Sequence, residues 1–167
     1  GKVEISVPRS GQPRELVQMA AENATETLQA LRTQWQADTH KQEQALAEIQ
    51  SALQLPGPPN RVECFDISHT QGVATVGSMV VFSRGVPDKK LYRRFNIEGS
   101  AGAPDDYASM AEVLRRRFRR WQAAQEENSA PGSKPDESFA FLPDLLIVDG
   151  GKGQLSRAID VLQEFAI

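Results

Sequence analysis

The chain has 167 residues, of which 40% are apolar and 25% charged, with a formal net charge of −3; this suits one water-soluble domain, or a domain plus a helical attachment, and excludes a disordered or bilayer-spanning chain. The negative balance excludes a global field that draws the protein to nucleic acid, so any such contact has to use a local basic patch. Gly1–Ser10 lacks the basic-then-apolar order of a secretory signal, and the single Cys64 permits no internal disulfide and reads as a small buried hydrophobe, so a cytoplasmic setting is expected.

Val3, Ile5 and Val7 alternate with polar residues, which predicts a short strand closed by Pro8 and Gly11. From Arg14 the period changes. Leu16, Ala20, Ala24, Leu28, Leu31 and Trp35 recur at helical spacing, predicting an amphipathic helix of about six turns. Asp38–Gln42 interrupts the apolar stripe, which resumes at Ala45, Leu46, Ile49 and Leu53, so the segment is one bent helix or two, with Thr39 able to cap the second. Its stripe is too short for a coiled-coil arm and is expected to pack on the rest of the chain. Residues 56–60, Pro-Gly-Pro-Pro-Asn, form a linker that separates this first segment, 1–55, from a domain over 61–167.

In that domain Arg61–Ser68, Ala74–Ser83 and Lys90–Ile97 read as three strands joined by turns at Thr70–Gly72 and Arg84–Asp88, an antiparallel meander. A helix follows from Pro104 to Gln122, with Tyr107, Met110, Ala111, Leu114, Phe118 and Trp121 on its core side. Ala123–Ser138 has almost nothing to bury and reads as a mobile loop. Leu145–Val148 reads as a central strand covered on both faces, and Gly150–Gly153 turns it into a last helix with Leu155, Ile159 and Leu162 on one face. Together these predict a mixed α/β sheet, strands 1–3 antiparallel and strand 4 parallel to strand 1. Trp35, Tyr92, Tyr107 and Trp121 fit core stripes better than a base-stacking platform.

Strand alternation puts Val62, Cys64, Asp66 and Ser68 on one face and Glu63, Phe65 and Ile67 on the other, so Asp66 stands in an otherwise apolar element. An ionised carboxylate there needs a positive partner, and Asp149, at the carboxyl end of the fourth strand, poses the same problem where open α/β sheets place ligands. Asp106 lies in the first turn of the intervening helix. Each acid has a plainer reading: Asp106 as a helix-dipole partner, Asp149 as an acceptor for the glycine turn, Asp66 as an arginine partner. Three aspartates on separate elements are also what hard divalent cations require, and a two-metal centre would hydrolyse a phosphodiester.

The stretches Glu63–His69, Arg93–Ile97, Asp105–Met110 and Ile147–Leu155, in this order over about residues 61 to 165, resemble the C-terminal endonuclease half of the UvrC family, the excinuclease subunit, and Arg14–Leu55 resembles the helical segment before it. The resemblance implies an RNase H-like fold, Mg²⁺ or Mn²⁺, and hydrolysis of damaged double-stranded DNA on the 5′ side of a lesion. It maps the catalytic and metal-binding acids onto Asp66, Asp106 and Asp149, the second of the Asp105-Asp106 pair matching the family position. It implies work with the UvrA–UvrB damage-recognition system, UvrB being met through a segment outside this chain. The family completes its site with a histidine beyond Ile167, and neither His40 nor His69 matches it, His69 reading as a turn or supporting residue. The N-terminal nuclease and the C-terminal helix-hairpin-helix module of the family are likewise not matched, so the chain is expected to be a fragment with impaired activity.

Arg93, Arg94 and Lys152 are the candidates for DNA phosphate contact, while the run Arg115-Arg116-Arg117 with Arg119-Arg120 reads more simply as a solvated helix face. Two other readings stand beside the nuclease: a catalytically incomplete RNase H-like binding or scaffold module, and a phosphate-binding domain built on the glycine turn, which lacks P-loop spacing. No zinc-type cysteine and histidine cluster exists in the sequence.

Overall fold

The computed structural model describes residues 7–70, 74–97, 105–128 and 136–167. Most of the expected first strand, the tip of the first hairpin, Pro104 and the middle of the expected loop lie outside the described residues. Two compact units are present, Gly1–Gln44 and Ala45–Ile167.

Helix α1, Gln12–Leu53, is one uninterrupted element of 42 residues. Asp38–Gln42 breaks the apolar stripe but contains neither glycine nor proline, so nothing there interrupts the backbone ladder. In the first unit Leu16, Leu28, Leu31 and Trp35 are exposed. In the second unit Leu46 is buried, and the helix closes at Gln54, whose positive φ of 53° lets the Leu55 amide donate back to the Gln50 carbonyl at 3.0 Å. No helix among the described residues is long and apolar enough to cross a membrane.

The sheet is mixed, as expected. β1 (Arg61–Thr70) and β2 (Ala74–Ser83) pair antiparallel over their whole length, from Arg61 opposite Ser83 to Thr70 opposite Ala74. On the outer edge of β2 lie β3 (Val86–Pro87) and β4 (Arg93–Ile97), both antiparallel to it. On the other side β5 (Leu145–Val148) runs parallel to β1, Val62 opposite Leu145 through Phe65 opposite Val148. The expected third strand over 90–97 is therefore shorter. A 3₁₀ turn takes Lys89–Leu91, and Val86–Pro87 pairs where only a turn was expected, its proline tolerated because this is a sheet edge.

Helix α2, Asp106–Asn128, crosses one face of the sheet and is longer than expected at its C-terminal end. Met110, Val113, Leu114 and Phe118 are buried with Phe65, Met79, Val81 and Phe95. Gly77 allows this approach, since a Cβ there would sit 2.4 Å from Val113 Cγ2. Part of the expected loop thus belongs to α2, and another part forms the one-turn α3, Glu137–Ala140, capped by Asp136. Helix α4, Lys152–Glu164, buries Ala158 and Val161, whereas Leu155 and Ile159 are exposed. Of the three residues expected on the apolar face of α4, Leu162 packs against the core, while Leu155 and Ile159 give way there to the smaller Ala158 and Val161. Ile147 on β5 is also exposed, so this strand is not covered on both faces, and Trp35 and Tyr107 are exposed rather than core residues.

Candidate active site

The carboxyl ends of β1 and β5 and the amino ends of α2 and α4 meet at one end of the sheet unit. The Asp149 amide donates to the Phe65 carbonyl at 2.9 Å, which carries the parallel ladder one step past the Phe65–Val148 pair. Asp149 and Asp66 are thereby neighbours across adjacent strands, with backbones about 4.8 Å apart. The starts of the two helices abut as well: a Cβ on Gly153 would lie 2.3 Å from the Tyr107 ring, so glycine is needed there for the approach.

The simpler readings of the three acids are each displaced by a specific contact. At the start of α2 it is Asp105, not Asp106, whose Oδ1 accepts the Tyr107 and Ala108 amides, both at 3.0 Å. This satisfies the helix terminus and leaves the Asp106 carboxylate out of the capping role. Asp106 Oδ1 instead meets the Nε2 of His69, whose Nδ1 lies 2.9 Å from the Thr75 hydroxyl. The Gly151 amide donates to Gln154 Oε1 at 2.7 Å rather than to Asp149. Asp66, partly buried, accepts the Ser68 hydroxyl at 2.7 Å rather than an arginine. Among the described residues no arginine or lysine forms an ion pair with any of the three acids.

The structure does not draw all three into one cluster: among the described residues no group of three or more His, Cys, Asp or Glu side chains is arranged to hold a metal ion. Alternation along β1 accounts for this. Asp66 and Ser68 share one face, and His69, which holds Asp106, belongs to the face on which α2 packs.

The arginines are largely occupied within the fold. Arg93 grips both oxygens of Asp136 at 2.9 and 3.1 Å and donates to the Lys90 and Tyr92 carbonyls. Burial works against the Asp136 charge, but the Ser138 hydroxyl and amide and the Arg93 guanidinium outweigh it and hold the carboxyl below its ordinary range. Arg115 pairs with Glu164, Arg116 donates to the Asn96 carbonyl, and Arg120 lies 4.8 Å over the Phe139 ring. Arg117 departs from the expected solvated face, being fully buried against Glu63, while Arg119 and Arg120 are exposed. Arg94 on β4 and Lys152 at the start of α4 are exposed. Cys64 is only partly buried, and that burial pushes its thiol up.

Two pairings escaped the sequence reading. Glu63 was assigned to the face of Phe65 and Ile67, and a charge on that face was a signal for a buried cation, which Arg117, between Leu114 and Phe118, supplies. His69 was expected as a turn or supporting residue; β1 runs two residues past Ser68 and brings it to Asp106, in line with the second of these, and it is the partner that the sequence did not name.

Residues 50–167 match the family model described as the UvrC RNAse H endonuclease domain. Among similar proteins is the UvrABC system protein C of Symbiobacterium thermophilum, 42% identical over 99% of this chain and 28% of its own length. Those of Carboxydothermus hydrogenoformans and Desulforudis audaxviator are 45% and 47% identical, each over 98% of this chain and 26% of their own. The chain spans about a quarter of the length of these curated relatives.

Proposed function

Because the chain belongs to the UvrC RNAse H endonuclease domain family, we propose that it carries the DNA-cleaving centre of a nucleotide excision repair subunit, cutting the damaged strand on the 5′ side of a lesion. The observation that carries this reading is the β1–β5 register, which makes Asp149, just past the carboxyl end of β5 where α/β sheets bind ligands, a neighbour of Asp66 on β1. Asp106 enters from the start of α2 as the third acid.

The donor chemistry fits Mg²⁺ or Mn²⁺. Asp66, Asp149 and Asp106 offer hard oxygens from rigid elements, and their partners are a hydroxyl and an imidazole rather than guanidinium groups. When bound, such an ion supplies an activated water and stabilises the leaving oxygen of a phosphodiester. Arg94 and Lys152, both exposed, would take DNA phosphates in this reading, while Arg93 is held by Asp136. Damaged double-stranded DNA is the substrate in this reading, UvrB and the UvrA–UvrB system deliver it, and the setting is the cytoplasm.

The test is incision of a lesion-bearing duplex by the full-length protein carrying Asp66→Ala or Asp149→Ala. Both should abolish the 5′ cut, and undiminished cutting by both ends the proposal. A second reading, a nuclease-shaped DNA-binding module without activity, is favoured by the missing three-residue cluster among the described residues. Mn²⁺ separates the two: a nuclease centre raises the unfolding temperature in a manner lost with Asp66→Asn, and an inert module does not.

A further inference from the structure

The His69 ring bridges two elements. In the β1–β2 register His69 faces Thr75 directly, which sets its Nδ1 2.9 Å from the Thr75 hydroxyl, and at the far end of the ring Nε2 meets Asp106 Oδ1, 37 positions along the chain. The chemistry of the three groups allows one neutral arrangement. A carboxylate can only accept, so Nε2 carries the hydrogen; Nδ1 then offers a lone pair, and the Thr75 hydroxyl donates to it. Both ring nitrogens are committed, which leaves His69 no nitrogen with which to act on a substrate. Asp106, in turn, is released from helix capping by Asp105, is about half exposed, and takes no hydrogen bond at Oδ2 among the described residues.

We propose that His69 is a positioning residue: it fixes the Asp106 carboxylate through Oδ1 from the end of β1, with the Thr75 hydroxyl setting its tautomer, and leaves Oδ2 open for whatever part Asp106 takes in the acidic site. This rests on the reading of Asp106 as a member of that site. Acids of this kind depend on partners that lock their orientation, and losing such a partner lowers metal affinity or activity by about 10- to 100-fold.

These 167 residues contain two histidines, so imidazole ¹⁵N spectra of the chain show His69 and, on exposed α1, His40 as an internal reference. His69 should be held as the Nε2–H tautomer, and Thr75→Val and Asp106→Ala should each move it toward the mixture seen at His40. An unchanged His69 tautomer in both variants overturns the proposal. In the full-length protein His69→Phe should lower incision by about 10- to 100-fold. His69→Gln, which keeps an N–H at similar reach, should restore most of it, and His69→Phe should add little in an Asp106→Ala background. Wild-type incision by His69→Phe, with incision lost in Asp66→Ala, defeats the positioning role and leaves the nuclease reading intact. Undiminished incision by Asp66→Ala defeats the nuclease reading itself.

Discussion

Glu63→Gln removes one charge and almost no volume from the centre of the molecule, and it should be among the most damaging isosteric changes available. Glu63 and Arg117 have no solvent exposure, and Arg61 retains 13%. Arg117 grips the carboxylate through Nε and Nη2 at 2.9 and 2.8 Å, and Arg61 places two further donors on Oε1 at 2.9 and 2.8 Å. The guanidinium groups also donate to the carbonyls of Ser138, Phe139 and Phe141, so this cluster ties β1, α2 and the segment around α3 together. With glutamine in place, two cations share a buried site with no counter-charge, and the new amide nitrogen meets guanidinium donors head-on. Breaking a buried pair by removing one partner costs about 3–5 kcal/mol. Against a total of about 5–15 kcal/mol, that lowers the unfolding temperature by about 10–20 °C. Urea and thermal unfolding of the chain measure it. Arg117→Met should cost less, because Arg61 still neutralises Glu63, and the double variant should fall short of the sum of the singles by about 0.5–3 kcal/mol. A loss under about 1 kcal/mol for Glu63→Gln, the scale of an exposed pair, or strict additivity, refutes the reasoning.

Gly77→Ala should destabilise the sheet unit by about 1–3 kcal/mol, since its Cβ would overlap the stiff, buried Val113 side chain; adding Val113→Ala should recover part of the loss, and no recovery in chemical denaturation would count against the close approach of α2. Asp136 should contribute stability that depends on pH. Its carboxyl is held below its ordinary range in the folded state, so the contribution is present above the unfolded value near pH ~4 and lost as pH falls through the lower folded value. Thermal melts of the protein and of Asp136→Asn should therefore differ at neutral pH and converge below about pH 4; a constant difference down to strong acid would disagree. Cys64, with its thiol raised by burial, should alkylate more slowly at neutral pH than a free thiol and catch up only in alkali, as a timed iodoacetamide reaction can record.

The sequence was most readable where a single period governs a segment. Alternation in 61–68 and 74–83 reported the two long strands because each has one face on the core, and the apolar spacing of 110–118 reported α2 for the same reason. It was misleading where size stood in for direction. In α4 the large Leu155 and Ile159 drew the apolar face, yet the helix meets its neighbours through Ala158 and Val161, small enough for close packing. Composition alone also failed at 84–97, where a proline and a glycine announced a turn but an open sheet edge accepted a two-residue strand before the real one began.

The acids divide along the same line. Asp66 and Asp149 were legible because each ends or interrupts an apolar strand, and strand register is a local property that a parallel pairing then converts into proximity. The environment of Asp106 was not legible, since it depends on two events far apart in sequence: the neighbouring Asp105 taking the helix amides, and β1 continuing long enough to bring His69 to the helix start. Neither leaves a periodic trace. The buried Glu63–Arg117 pair belongs with these, for a charge on a core face announces that a partner exists but not which of the thirteen arginines supplies it. What joins the two kinds of polar group is α2 itself. Arg117 anchors its middle to β1 through a buried carboxylate, and Asp106, eleven residues earlier, meets His69 at the end of the same strand. The helix is thus pinned to β1 at two points about three turns apart, and the core pair fixes the register from which the exposed acid is presented.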